Sequence, residues 1–254
     1  MNATVIVPYV FEEEVRTLVQ ALSKNMDIPY IVEKDEKRIG SDLMYQKLWG
    51  KCNTDIIILH SDMASTTNDT DNNWYTELCN YADTYKEAGL IGCKLLYPVK
   101  INTGHYLIQS AGGKFINNRP DHFGSGYDIF TGKHTKEPEA DTGQYDFVRE
   151  VAWSTFGGIY IRREVLNQVG HFDSSFEHQY NRDVDYCLEA RNRDWKIYQV
   201  PTTLLHFESK DNKRIRNESS YAAEARNLLR LQEKWKNSQL MNTIDKKIDD
   251  TILV

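Results

Sequence analysis

The sequence predicts a mixed α/β fold, with a mainly parallel central sheet flanked by helices and a helical extension at the C-terminus. Two observations carry this. Apolar runs of strand length alternate with amphipathic stretches of helical period in the order β-α-β-α-β, the mark of parallel strands joined by right-handed crossovers. The run Ile56-Ile57-Ile58-Leu59 is unbroken and mostly β-branched, as a central strand covered on both faces requires, and it breaks abruptly into His60-Ser61-Asp62.

Each element can be read in turn. Thr4 to Val7 is a short β-rich run stopped by Pro8. Glu12 to Leu22 carries Val15, Leu18, Val19 and Leu22 at helical spacing, and Tyr30 to Val32 is a second strand ending in Glu33-Lys34-Asp35-Glu36. Ser41 to Trp49 reads as a helix capped by Ser41 or Asp42. Beyond the central strand, Trp74 to Lys86 reads as a helix ended by Gly89, and Leu90 to Leu96 as a strand stopped by Pro98. Tyr106 to Phe115 holds a short apolar run and then Ala111-Gly112-Gly113. From Asn117 to Tyr145 periodicity fades into Gly, Asp, His and Pro. A loop of that length is commonly functional or mobile, so it is expected either to lie over a site or to be a disordered surface insertion.

Val151 to Ile161 regains strand character around Gly157-Gly158. Arg163 to Val169 and Asp183 to Arg193 read as helices, Trp195 to Val200 as a strand halted by Pro201, and Thr203 to Phe207 as an apolar run holding His206. Ser219 to Trp235 is a long helix with Ala222, Ala225, Leu228, Leu229 and Leu231 on its apolar side. The expected division is one domain over residues 1–237 and a helical tail over 238–254, which packs back on the domain or meets a partner.

The chain has 254 residues, enough for a full core, and a net charge of −6, which argues against nucleic acid as its main partner. An anionic ligand would then need a metal or a local basic cluster. Cys52, Cys79, Cys93 and Cys187 are scattered with no C-x-x-C spacing, as expected of reduced thiols rather than a cysteine zinc site. No apolar run approaches the length of a membrane span, and Met1 to Val10 lacks the pattern of a signal peptide. The protein is therefore expected to be soluble and cytoplasmic, with membrane contact at most peripheral.

Polar side chains at the carboxyl end of a central strand sit where open α/β sheets bind ligands. His60 and Asp62 are two apart, so in extended chain they share a face. A carboxylate beside an imidazole suits a divalent cation, and a cation there suits a diphosphate. The same residues would also serve as a simple polar turn.

The chain resembles glycosyltransferase family 2, and especially its rhamnosyltransferase-like branch. The likeness runs from the opening Val5-Ile6-Val7-Pro8, through the segment 89–98 and Gln109-Ser110-Ala111-Gly112-Gly113, to the block from Trp153 to Leu166. It continues in Val169-Gly170-His171-Phe172-Asp173, Asp183-Val184-Asp185, the segment 196–201 and His206. The resemblance implies a GT-A (Rossmann-like) fold, Mn²⁺ or Mg²⁺, a UDP- or dTDP-sugar donor, and a glycan or glycolipid hydroxyl as acceptor. It implies Asp62 and His206 as metal ligands and Asp183 as catalytic base, with Asp185 in reserve or in contact with the acceptor.

Pro8, Glu33, Arg38, Gly40, His60, Ser61 and Asp62 would line the donor, and Trp153, Gly157, Gly158 and Asp185 the acceptor. His60 stands where the family has the first acidic residue of D-x-D, and Arg182 where it has Glu. Several residues also have plain structural readings: Glu33 as a solvated charge, Gly157-Gly158 as a strand bulge, Trp153 as core, and Asp183 and Asp185 as helix-start carboxylates. The expectation is a metal-dependent, inverting glycosyltransferase. Its rivals are a catalytically silent glycan-binding or scaffold module of the same fold and, ranked lower because Pro8 to Arg16 is acidic, a sugar-nucleotide pyrophosphorylase.

Overall fold

The computed structural model describes residues 3–24, 27–66, 73–128, 133–134, 136–177, 181–207, 218–238, 240–241, 244 and 252–253. Strand β1 (Thr4–Tyr9), helix α1 (Glu12–Ser23), β2 (Tyr30–Lys34), α2 (Ser41–Trp49) and β3 (Ile56–Ile58) alternate as the pattern predicts. Next come β4 (Met63–Ser65), α3 (Asn73–Thr84), β5 (Ala88–Lys100) and β6 (Tyr106–Ser110). The short strands β7 (Gly113–Ile116), β8 (Arg119–His122), β9 (Tyr127–Asp128), β10 (Lys133–His134) and β11 (Val148–Glu150) follow. The remaining elements are β12 (Ile159–Ile161), α4 (Arg163–Val169), α5 (Arg182–Arg191), β13 (Lys196–His206), α6 (Glu218–Trp235) and β14 (Ile252–Leu253).

The main sheet runs β14-β11-β13-β5-β12-β3-β1-β2, with β4 added to β13 and β6 to β5. β1 is parallel to β2 and β3, and β13 to β5, while β12 is antiparallel to both its neighbours. β2, β1, β3, β5 and β13 thus point one way, with β12 and β11 reversed. The carboxyl ends of β1, β3 and β13 open at the same edge. The chain leaves β1 on one side to make β2 and returns past it to make β3, a switch point of the kind where such sheets bind ligands.

β3 is covered on both faces, as its composition predicts. Ile56 and Ile58 pack with Tyr45, Leu48 and Trp49 of α2 and with α5, while Ile57 and Leu59 pack with α1 and α3. All four are fully buried, each stabilising the fold by about 2 kcal/mol.

Three prolines expected to end strands do not. Thr4 turns its amide toward β3, so Pro8, an even number of residues on, lacks a donor only on the side that β3 has already left; it sits in register with Glu33. Pro98 lies past the last pairing of β5 with β13, and β5 runs on to Lys100 beside β6. Pro201 occupies an irregularity between Val200 and Thr203, across which β13 is continuous.

The stretch expected as a long loop is largely built. Asn117 and Asn118, both at positive φ, turn the two-residue hairpin between β7 and β8. The chain around Glu139 to Asp141 lies along β6, with the Ile108 amide donating to Glu139 (2.9 Å) and the Asp141 amide to Tyr106 (2.8 Å). Lys94 of β5, 1% exposed, fastens this segment through Asp141 (2.7 Å) and Asp146.

Of the C-terminal tail, Met241 and Ile244 are buried with Trp235, and β14 pairs with β11. The four cysteines are unpaired, and among the described residues no helix is long and apolar enough to cross a membrane. Lys94→Met should destabilise the chain by about 3 kcal/mol in urea denaturation, because it strands the Asp141 carboxylate. Replacing Lys94 and Asp141 together by apolar residues should recover most of that loss.

Candidate active site

β3 and β13 are separated in the sheet by β12 and β5. After β3 the chain crosses that gap as β4 and pairs with the end of β13, setting Met63 opposite His206. The Phe207 amide donates to the Asp62 carbonyl (3.0 Å), closing the corner. His60, Asp62 and His206 converge there, with one ligand atom from each all within 4.8 Å of one another. His206 Nε2 lies 3.4 Å from Asp62 Oδ1 and 3.2 Å from His60 Nδ1. Ser61 is half-buried in the turn between the other two.

The surroundings fix both rings. His206 gives its Nδ1 proton to Gln109 Oε1 on β6 (2.7 Å), which turns Nε2 toward the cluster. Tyr45 stacks on His60 with ring planes 13° apart. A Cβ at Gly157 would come within 3.3 Å of the His60 ring, so glycine there leaves room for it. Burial, and then the neighbouring His206, lowers the His60 pKa to about 4. Burial works against the charge of Asp62, but the hydrogen bond and charge of His206 outweigh it and hold the carboxyl below its usual value.

Near neutral pH the cluster is therefore a neutral His60 beside an ionised Asp62, which is the state that binds metal. Among the described residues, Asp62 Oδ2 is buried without a partner. A buried orphan acceptor between two imidazoles fits a divalent cation.

Asp183 opens α5 and accepts a hydrogen bond from the Val184 amide (2.9 Å). Burial pushes its pKa up to about 7; the Val184 bond opposes this and the charge of Asp42 adds to it. The residue keeps some contact with solvent although protein surrounds most of it. Burial, and then the charges of Asp42, Asp62 and Asp183, raise the pKa of the Tyr45 phenol.

Other residues singled out in the sequence take different places. Asp185 is buried, its oxygens held by Lys234 Nζ and Trp235 Nε1 of α6, each at 2.8 Å, so it anchors α5 and touches no open space. Arg182, half-buried, is paired with the buried Asp42 and donates to the Phe176 carbonyl (3.1 Å). Trp153 offers no platform for a sugar. It is 1% exposed, packed edge-on against His122, and donates to the Lys114 carbonyl (3.1 Å). Gly158 (φ 70°) packs beside Leu204, Cys93 and Met63, where any side chain would be strained.

Pro8 and Glu33 lie side by side at the carboxyl ends of β1 and β2, with Glu33 paired to Lys47 and Lys51. Gly40 begins α2 at φ 96°, and its amide, with that of Ile39, donates to the buried Asp35 (2.8 and 2.9 Å). Arg38 lies over the Phe11 ring. Sequence reading missed Asp35, Asp42, Tyr45 and Gln109. Only Asp35 carried a local signal, a carboxylate shortly before a helix start.

No protein-family model matches the chain, and no curated protein matches it in sequence. Solved structures do. GalNAc-T7 with UDP, GalNAc and Mn²⁺ superposes with a TM-score of 0.59 at 12% identity, over 93% of this chain and 48% of the other. The mannosyltransferase PcManGT from Pyrobaculum calidifontis, in complex with GDP-Man and Mn²⁺, gives 0.51 at 11%, over 99% and 76%. The fold is GT-A. This chain spans about half the length of the first of these GT-A proteins, and at such identities the likeness speaks for the fold alone.

Gln109→Leu should weaken Mn²⁺ binding roughly 10- to 100-fold in calorimetric titration, as the loss of an outer-shell partner does. Gln109→Glu, which keeps an acceptor for Nδ1, should retain most of the affinity.

Proposed function

We propose that this chain is a metal-dependent, inverting glycosyltransferase of the family 2 type. It would move a sugar from a UDP- or dTDP-sugar to a hydroxyl of a glycan or glycolipid, as in polysaccharide biosynthesis on the cytoplasmic side. The observation that carries this reading is the convergence of Asp62 and His206 at the carboxyl edge of a GT-A sheet. The UDP, GDP-Man and Mn²⁺ of the two similar structures support the same chemistry.

Asp62 and His206 would hold Mn²⁺ or Mg²⁺. When bound, the cation neutralises charge on the departing nucleoside diphosphate. Asp183 takes the proton from the acceptor hydroxyl as the oxygen attacks the anomeric carbon, and a pKa near the working pH suits a general base. One in-line displacement inverts that carbon. Asp185, tied to Lys234 and Trp235, keeps the start of α5 in place. Pro8, Glu33, Arg38 and Gly40 border the nucleoside side of the crevice, and Gly157 lets the donor approach past His60.

Asp183→Asn should abolish transfer while leaving nucleotide binding nearly intact; full activity in that variant would sink the assignment. Because the folded-state pKa of Asp183 lies above the ordinary carboxylate value, its ionisation costs stability as pH rises from about 4 to about 7. The same variant should therefore melt higher than wild type at neutral pH.

Transfer by the wild type should fall as pH drops through about 7 and Asp183 takes up a proton. Thermal-shift series with UDP, dTDP and GDP, each with and without Mn²⁺, test the donor site directly. A shift should need both a nucleotide and the metal, and should vanish in Asp62→Ala.

A further inference from the structure

We infer that His60 is itself a cation ligand, and that the site is thereby built for a transition metal and selects against Mg²⁺. The inference rests on the metal-dependent reading above and narrows it.

Three facts lead there. First, the bond of His206 Nδ1 to Gln109 turns Nε2 of that ring into the cluster. That nitrogen lies 3.4 Å from one oxygen of Asp62. Second, the other Asp62 oxygen is buried and, among the described residues, has no hydrogen-bond partner, so the contact of His206 with Oδ1 leaves Oδ2 unmatched. Third, His60 is held with Nδ1 3.2 Å from the same Nε2, by the stacked Tyr45 ring and by the room that Gly157 leaves. A bond from His60 to His206 still leaves Asp62 Oδ2 unmatched. A cation bound by both nitrogens and the carboxylate satisfies all three groups at once.

Such a donor set has chemical consequences. Mg²⁺ prefers an all-oxygen octahedron and gives up water reluctantly. Imidazole nitrogens favour the later first-row ions, and two of them with one carboxylate leave open positions for the oxygens of a diphosphate. The expected order of affinity is Co²⁺ above Mn²⁺, with Mg²⁺ far below both. An aspartate at position 60 would give an oxygen-weighted site instead. His60 is therefore the residue that sets which metal the site takes.

The test is a titration of the full chain with Mn²⁺, with and without UDP, followed by loss of the free-ion EPR signal. Pulsed EPR on the bound ion would report nitrogen couplings. Wild type should show couplings from two imidazoles and should keep its Mn²⁺ against a large excess of Mg²⁺. His60→Ala should show couplings from one imidazole and bind Mn²⁺ more than ~10-fold more weakly, beyond the lower bound for an outer-shell change. His60→Asp should fold, bind Mn²⁺ and release it to Mg²⁺, which also answers the objection that His60→Ala merely disturbs the corner.

If His60→Ala binds Mn²⁺ with wild-type affinity and couplings, His60 is not a ligand, while the cation reading of Asp62 and His206 stands. Ready displacement of Mn²⁺ from wild type by Mg²⁺ would overturn the selectivity. If wild type takes up no Mn²⁺ with or without UDP, the metal-dependent reading itself fails.

Discussion

The structure depends on one strand being buried on both of its faces. Ile56, Ile57, Ile58 and Leu59 alternate between two cores, one against α2 and α5 and the other against α1 and α3. No residue of that run can turn to solvent without opening one core or the other. A strand so constrained has one permitted register, and the first residues free to carry polar chemistry are those just past its end. His60 and Asp62 stand there. Their placement is a consequence of packing upstream, and this lets two groups with opposed charge preferences sit in a mostly buried corner.

The corner also needs a second strand that is not its neighbour in the sheet. β4 supplies the connection by crossing to β13, so that two distant carboxyl ends share a few ångströms. Around it the charges are arranged in pairs that leave Asp183 apart. Asp42 is bound to Arg182, Asp185 to Lys234, and Asp35 to two backbone amides. Among the described residues Asp183 is bonded by backbone amide and faces no cation, so burial dominates and its proton affinity rises.

Much of this was legible in the sequence. Periodicity located the alternating strands and helices, and the aliphatic run located the central strand. Resemblance pointed to Asp62 and His206, which the structure brings together, and to Asp183, which lies in the first turn of α5. The misreadings share a cause. A proline ends a strand only where its missing donor faces a partner, and whether a partner is there is a tertiary fact that Pro8 and Pro98 do not declare. Arg182 and Asp185 look like free charges at a helix start, yet their partners lie 140, 49 and 50 residues away. Gln109 and Tyr45 carry no local sign of function because they act only through a ring that another element delivers. Trp153 reads equally well as platform or core until Gly113 and His122 are seen against it.

The irregularity in β13 bears on how this chain can change over time. Between Val200 and Thr203 the strand takes extra residues while its partner β5 advances by one, and regular pairing then resumes up to His206. Side chains alternate along a strand, so the direction in which His206 points is a matter of odd and even counting from that irregularity. An inserted or deleted residue there would either slide the strand against β4 and β5 or turn the imidazole to the opposite face of the sheet. The six positions after Val200 that end at His206 form a fixed-length spacer, held by the site's geometry whatever residues fill it.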